Sequence, residues 1–301
     1  DVLVVAMGIQ IDWDKVPGLK ESVGQPGTGV CSNYDYKTVS ATYDAIKNLK
    51  KGTALFTHPS TPIKCGGAPL KISYLASDYW RKQGVLNDID VKFIKGGPGI
   101  FAVPKYAKTL TEVADRYAMD CLWNNDLKAI HPDKKKAVFV NIETEEETTI
   151  PYDMIHVTPP MSAPDVIKNS DLAADNGWVE VDKETTQHVR YPNVFALGDN
   201  SNLPTSKTGA AIRKQAPTTA KNIMAFLEDR TLPEHYDGYT SCPLVTGYGS
   251  LVLAEFDYDK KPKESFPFDQ AKERYSMYAL KAYGLPQMYW HRSEERRVGK
   301  E

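Results

Sequence analysis

The chain opens on an unbroken apolar run, Val2-Leu3-Val4-Val5-Ala6, that stops at Gly8. Runs apolar at every position mark parallel-sheet strands covered on both faces, so this one predicts a buried strand ending in a glycine turn. After a polar, Pro- and Gly-rich stretch to Ser32, Val39, Tyr43, Ile46 and Leu49 recur at helical spacing and predict a helix over 35–50. A second α/β unit follows. It has a buried strand at 53–57, a loop at 58–69, a helix over 70–84, a strand at 91–94 and a helix over 106–119. Strand and helix periods in alternation imply a parallel sheet.

Beyond this unit the pattern weakens. Two short runs at 137–140 and 148–150 flank the acidic Glu145-Glu146-Glu147 and read as a hairpin, with the charge runs as solvated turns. A short buried strand at 154–158 precedes Pro159-Pro160. Later come a short strand at 179–181, a strand that runs through Val194-Phe195-Ala196 into Gly198-Asp199, and a helix over 209–227. The segment 236–291 is rich in aromatics and gives no clear period. It is read equally as core or as the wall of a pocket.

Composition narrows the classes. Of 301 residues, 41% are hydrophobic and 25% charged, with 37 basic against 39 acidic residues, an ordinary globular balance. No basic excess points to a nucleic-acid partner. No window approaches the roughly 18 apolar residues of a membrane span. The four cysteines form no CxxC and no His lies at ligand spacing from them, so no metal site is expected. The missing initiator Met, the opening strand without a preceding unit, and the charged, aperiodic close at 292–301 lead us to expect a fragment. The last ten residues resemble a translated sequencing adapter and are set outside the fold.

Three places carry candidate chemistry. The strand ending at Gly198-Asp199 hands over to a loop and a helix that begins near Lys207 and Thr208. Ligands of open α/β sheets bind outside such strand ends. A carboxylate there can accept hydrogen bonds from a sugar alcohol, and a helix N-terminus can hold an anion or a carbonyl. Asp199 as a plain turn and helix cap is the competing reading. Cys65 lies in a strand-to-helix loop, TPIKCGGAP, beside Lys64 and before Gly66 and Gly67. A thiolate near a helix start and a cation is stabilised, and glycines permit positive φ and close approach. Cys242, in DGYTSCPLVTGYG, has weaker local support. Burial as small hydrophobes remains the alternative for every cysteine.

The segment TTQHVRYPNVFALGD resembles the second flavin motif of the two-dinucleotide-domain flavoproteins, and VLVVAMGIQ resembles their crossover element near the flavin, with Met7 where Thr is usual. Five further stretches, among them TPIKCGGAP, VTPPMSAPDV and YDGYTSCPLVTGYG, are similar to the animal mitochondrial sulfide:quinone oxidoreductases. The resemblance implies two Rossmann-like dinucleotide-binding domains, the FAD domain incomplete, plus a C-terminal α+β segment. It divides the chain at 1–50 (remnant of the FAD domain and crossover), 51–165 (second Rossmann-like domain), 166–230 (return to the FAD domain), 231–291 (quinone- and membrane-side segment) and 292–301. It implies Cys65 and Cys242 as the catalytic pair, and Gly8, Asp199, Lys207 and Thr208 as FAD-binding residues. Hydrogen sulfide, ubiquinone and a glutathione or sulfite acceptor are the implied partners, at the mitochondrial inner membrane with peripheral attachment. By the same resemblance the N-terminal GxGxxG turn and the C-terminal membrane segment are missing, and Asn200 stands where a Cys can occur.

Other readings stay open. A type II NADH dehydrogenase-like enzyme would need a nicotinamide site after the strand at 53–57, where Cys65 and prolines sit instead. A non-catalytic sulfur-carrier or interaction module is a second, and a disulfide reductase, disfavoured by the lack of CxxC, is a third.

Overall fold

A computed structural model describes residues 1–292; the closing segment expected to lie outside the fold falls, from 293 on, outside the described residues. In chain order the elements begin with β1 (Leu3–Val5), β2 (Gln10–Ile11), β3 (Val30–Cys31), α1 (Val39–Asn48), β4 (Gly52–His58) and α2 (Ala68–Gln83). There follow β5 (Ile89–Lys95), α3 (Pro104–Arg116), β6 (Asp120–Trp123), β7 (Asn125–His131), β8 (Lys136–Asn141), β9 (Glu147–Pro151) and β10 (Met154–His156). The last third holds β11 (Met161–Ser162), α4 (Asp165–Lys168), β12 (Val194–Ala196), α5 (Gly209–Leu227), β13 (Thr240–Gly247), β14 (Ser250–Phe256) and α6 (Tyr275–Ala279). A π-helical turn (Leu280–Gly284) then leads into α7 (Leu285–Arg292).

The centre is a parallel sheet in the order β3-β10-β4-β5-β6. Side chains alternate across it. Ala54, Phe56, Val91 and Phe93 face one core with Leu70, Tyr74 and Trp80 of α2, Leu110 of α3 and Val252 of β14. Leu55, Ile94 and Ile155 face a second core with Ile130 and Phe139. The sheet is therefore covered on both faces, as its apolar strands require. Helices and the β13–β14 hairpin lie on one side, and the antiparallel sheet β7-β8-β9 lies on the other. The mixed α/β reading of the sequence agrees with this architecture, and the helices at 70–84 and 209–227 fall on α2 and α5.

Several local expectations change. The helix expected over 35–50 is shorter, because turns fill the positions before Val39. The segment 179–181 forms only isolated bridges. β7 and the long β13–β14 hairpin had no counterpart in the sequence reading. The opening run does form a strand, β1, but it is not buried on both faces. It pairs in parallel with β12 alone, and Leu3 and Val4 remain 49% and 46% exposed. Only Val5 enters the third core, with Val179, Val194 and Ala196. The aromatic segment divides: Phe256, Phe266 and Phe268 pack into cores, whereas Tyr275, Tyr283, Tyr289 and Trp290 are exposed.

Candidate active site

Cys65 sits three residues before α2, and the strain in its loop falls on the cysteine itself. Its φ is +81°, a left-handed value that non-glycine residues rarely hold. Neither following glycine takes a positive φ; Gly67, at −91°, is the residue before the helix. The turn closes through Ala68 N–H to the Cys65 carbonyl at 2.6 Å. Pro69 in the first turn of α2 suits a helix start, where its missing N–H costs nothing.

The glycines serve a purpose the sequence did not suggest. A Cβ on Gly67 would overlap Leu244 Cδ2 in β13, whereas one on Gly66 would meet open space. Gly67 is thus a packing glycine that lets β13 lie against the Cys65 loop. β13 carries Cys242, fully buried and paired with Ala254 of β14. The result is that the Cys65 and Cys242 side chains lie near enough for each to act on the other's proton affinity. Both sulfurs are free thiols.

The pair is electrically lopsided. Lys71, in the first turn of α2, donates from Nζ to Cys65 Sγ at 3.1 Å. The hydrogen bond from Cys242 is the largest influence on Cys65; with Lys71 and Lys281 it outweighs burial and holds the Cys65 thiol well below its ordinary value. The same interaction, with burial behind it, pushes Cys242 well above. The two sulfurs are therefore biased in opposite directions, Cys65 towards the thiolate and Cys242 towards the thiol. Cys31 and Cys121 behave as buried thiols should: burial pushes them up to about 12 and about 11. Lys64, expected to supply the charge at Cys65, instead lies over the Tyr34 ring at 5.9 Å. Its backbone forms a parallel bridge to Lys207.

That bridge joins the cysteine loop to the second cluster. β1 and β12 run side by side, and Asn200 fastens their ends. Its Nδ2 donates to the Val5 carbonyl and its Oδ1 accepts from Gly8 N–H, each at 3.2 Å. Asp199 follows Gly198 (φ +77°), whose N–H is held by Gln215 Oε1 at 2.8 Å. Burial raises the Asp199 carboxyl above its usual range, although Lys207 and Lys64 oppose this. Lys207 Nζ donates to the carbonyls of Asp199 and Ser201 at 2.7 and 3.0 Å and stands 3.7 Å from the centre of the Trp178 ring. Burial lowers it to about 8. Thr208 caps α5, accepting from Ala211 N–H at 3.1 Å, and its hydroxyl meets that of Thr240 at 2.9 Å, two residues before Cys242.

Gly8, Asp199, Lys207 and Thr208 are thus gathered in one region, adjacent to the Cys65–Cys242 pair. Lys71, Lys281 and Asn200 were not singled out by the sequence. Lys71 was legible as a lysine in the first turn of the helix after Cys65; Lys281, remote in sequence, gave no signal. The region also holds polar atoms without protein partners. Among the described residues Asp199 Oδ1 is buried and unbonded, and the buried hydroxyls of Tyr34 and Thr158 have at most each other; both Asp199 and Tyr34 feel the charge of Cys65. Buried polar groups are normally satisfied, so this side of Cys65 has the character of a binding surface for a polar ligand. Asp199 Oδ1 and the first-turn N–H groups of α5 that Thr208 leaves free suit the hydroxyl chain and polar edge of a flavin nucleotide. Among the described residues no group of three or more His, Cys, Asp or Glu is placed to hold a metal ion, and no helix is long and apolar enough to cross a membrane.

Comparison with known proteins decides the relationship. The chain is 49% identical over 290 residues to the mitochondrial sulfide:quinone oxidoreductase of Mus musculus and 48% identical over 293 residues to that of Dictyostelium discoideum. Each match takes in 96% of this chain. Over nearly its whole length the chain is similar to proteins named mitochondrial sulfide:quinone oxidoreductase. It spans 64% of the length of each of these two relatives. No family model matches the chain. Among solved structures, the sulfide:quinone oxidoreductase of Aquifex aeolicus superposes with a TM-score of 0.74, covering 95% of this chain and 68% of that one. At 18% identity that likeness is one of fold.

Proposed function

We propose that the chain carries the sulfide-oxidising centre of an FAD-dependent sulfide:quinone oxidoreductase, with Cys65 and Cys242 as its redox pair. The observation that carries this reading is the nearness of the two cysteines beside Lys71, with opposite shifts in their proton affinity. The working form has the two sulfurs joined. Hydrosulfide attacks the Cys242 sulfur, a new S–S bond forms there, and the Cys242–Cys65 bond breaks. Cys65 leaves with the electron pair as a thiolate, and low-pKa thiols leave faster. A sulfite or glutathione thiolate acceptor then takes the outer sulfur, and Cys242 in turn becomes a thiolate. Rejoining Cys65 to Cys242 releases two electrons.

A bound FAD supplies two-electron acceptance and delivery to ubiquinone. Asp199 would hold its hydroxyl chain, the start of α5 at Thr208 and the turn at Gly8 its polar edges, and Lys207 would secure the Asp199 segment. The similarity to proteins named mitochondrial supports a mitochondrial location, and we assign a peripheral inner-membrane position with it. The NADH dehydrogenase-like reading loses support, because the strained Cys65 loop fills the β4–α2 turn where a nicotinamide nucleotide would lie. The test is Cys65→Ser and Cys242→Ser, separately, in the full-length protein. Each is expected to lower sulfide-dependent ubiquinone reduction at least 1,000-fold, on the order seen when a covalent nucleophile is removed. Turnover near the parent rate in either variant would sink the assignment.

A further inference from the structure

Among the described residues, β13 and β14 form a two-stranded sheet of their own, and β13 carries Cys242. A lone hairpin is marginal and depends on what it packs against. Leu244 and Val252 enter the core beneath α2 and α3, but apolar burial has no direction. A slip of two residues along the helices would keep the same side chains inward. It would also carry Cys242 about 7 Å from its place, too far for a sulfur–sulfur bond of about 2 Å to Cys65. A directional contact has to fix the hairpin lengthwise.

α3 supplies two. Tyr106, Leu110, Val113 and Tyr117 recur at helical spacing, and all are buried in the core that holds Cys242. Leu110 and Val113 fill space, whereas the tyrosine hydroxyls reach the hairpin backbone. Tyr106 Oη accepts from the Glu255 N–H at 3.3 Å. Its own proton has two acceptors in reach, the Glu255 carbonyl at 3.0 Å and Glu264 Oε1 at 3.1 Å. Tyr117 Oη donates to the Thr246 carbonyl at 2.8 Å. Thr246 is fully buried at the register shift between Val245 and Gly247, where ladder pairing lapses.

The spacings agree. The tyrosines are eleven residues apart, about 16 Å of helix. Glu255 faces Ser241, five residues before Thr246, about 16 Å of strand. The hairpin is therefore gripped at two points, one beside the Cys242–Ala254 row and one near its turn.

Resting on the assignment of Cys65 and Cys242 as the redox pair, we propose that Tyr106 and Tyr117 are positioning residues for Cys242. Their hydroxyls hold the hairpin lengthwise on α3, so that the Cys242 sulfur stands where Cys65 can join it.

The experiment is the equilibrium of the full-length protein with a glutathione buffer, without sulfide. Joining the cysteines releases two protons and two electrons, which oxidised glutathione takes up to become two thiols. Tyr106→Phe combined with Tyr117→Phe keeps both rings and removes both hydroxyls. The joining constant should fall about ten-fold, equivalent to about 1.4 kcal/mol. By the thermodynamic cycle, the joined form should lose that much more stability in urea than the reduced form. Tyr117→Phe alone replaces the double variant if circular dichroism shows a misfolded chain. Ile130→Val, in the second core, is the control for lost stability and should leave the joining constant in place. Equal losses in both forms with an unchanged constant, or an equal fall with Ile130→Val, overturn this inference alone. A parent protein that forms no Cys65–Cys242 bond at any glutathione ratio overturns the functional reading as well.

Discussion

Cys65 and Cys242 act on one another, yet their surroundings differ in the respects that govern thiol chemistry. Cys65 lies in an irregular loop with a strained backbone, is partly exposed, and meets a lysine at 3.1 Å. Cys242 lies in a regular strand, fully buried, its cross-strand neighbour an alanine. Backbone setting, more than residue type, decides which sulfur releases its proton. A symmetric pair, once joined, would offer an attacking anion two equivalent sulfurs. In the proposed reaction this pair would direct the break, because the low-pKa sulfur is the better leaving group.

The difference can be tested from its largest consequence downward. In the reduced protein near neutral pH, Cys65 should alkylate on the order of 100-fold faster than Cys242, measured by timed mass mapping. Equal rates would erase the comparison. The sign of the linked stability follows. Between the depressed value of Cys65 and the ordinary thiol value of 9.0, the unfolded chain binds a proton that folded Cys65 does not, so stability rises with pH. That contribution is complete above 9.0 and is lost as pH falls through the folded value. Above 9.0, folded Cys242 keeps a proton that the unfolded chain releases, so its contribution declines. The pair's combined contribution therefore peaks near 9.

A medium effect is expected from Gly67→Ala. The added methyl meets the tip of the buried Leu244 side chain and forces it to repack, at about 1–3 kcal/mol in urea denaturation, with slower joining of Cys65 to Cys242. Unchanged stability would mean that Gly67 does not set the gap between loop and strand. The smallest effect belongs to Thr208→Ala, which removes the α5 cap and the hydroxyl contact with Thr240. It should lower stability by about 1 kcal/mol and leave the Cys65 alkylation midpoint in place.

The α/β architecture was legible because strands covered on both faces and amphipathic helices have distinct periods. α2 and α5 lie within two residues of the ranges read from the sequence. The hairpin β13–β14 was not legible, since buried Thr240, Ser241, Thr246 and Glu255 break its apolar pattern and Pro243 argues against a strand. β7 is polar and only half covered, so it showed no alternation. At the site, a lowered proton affinity for Cys65 was readable from its place before a helix. Its cause was not: Lys64 is the neighbour in sequence, Lys71 the neighbour in space. Gly67 suggested ligand approach, but its neighbour is a leucine from a strand remote in sequence. Asn200 was noted only for lacking a sulfur, and its two hydrogen bonds to Val5 and Gly8 appear only when β1 lies beside β12.

Asn200 also has a thermodynamic reach. β1 leans on a single neighbouring strand, with two apolar side chains open to water. The amide that secures its end adjoins Asp199, whose free oxygen awaits a partner. A molecule that engages Asp199 is expected to steady the 198–200 turn and, through Asn200, the Val5–Gly8 stretch. Ligand occupancy and the ordering of this leading strand are two halves of one equilibrium. Protease nicking of the opening segment would then serve as a gauge of how full the pocket is.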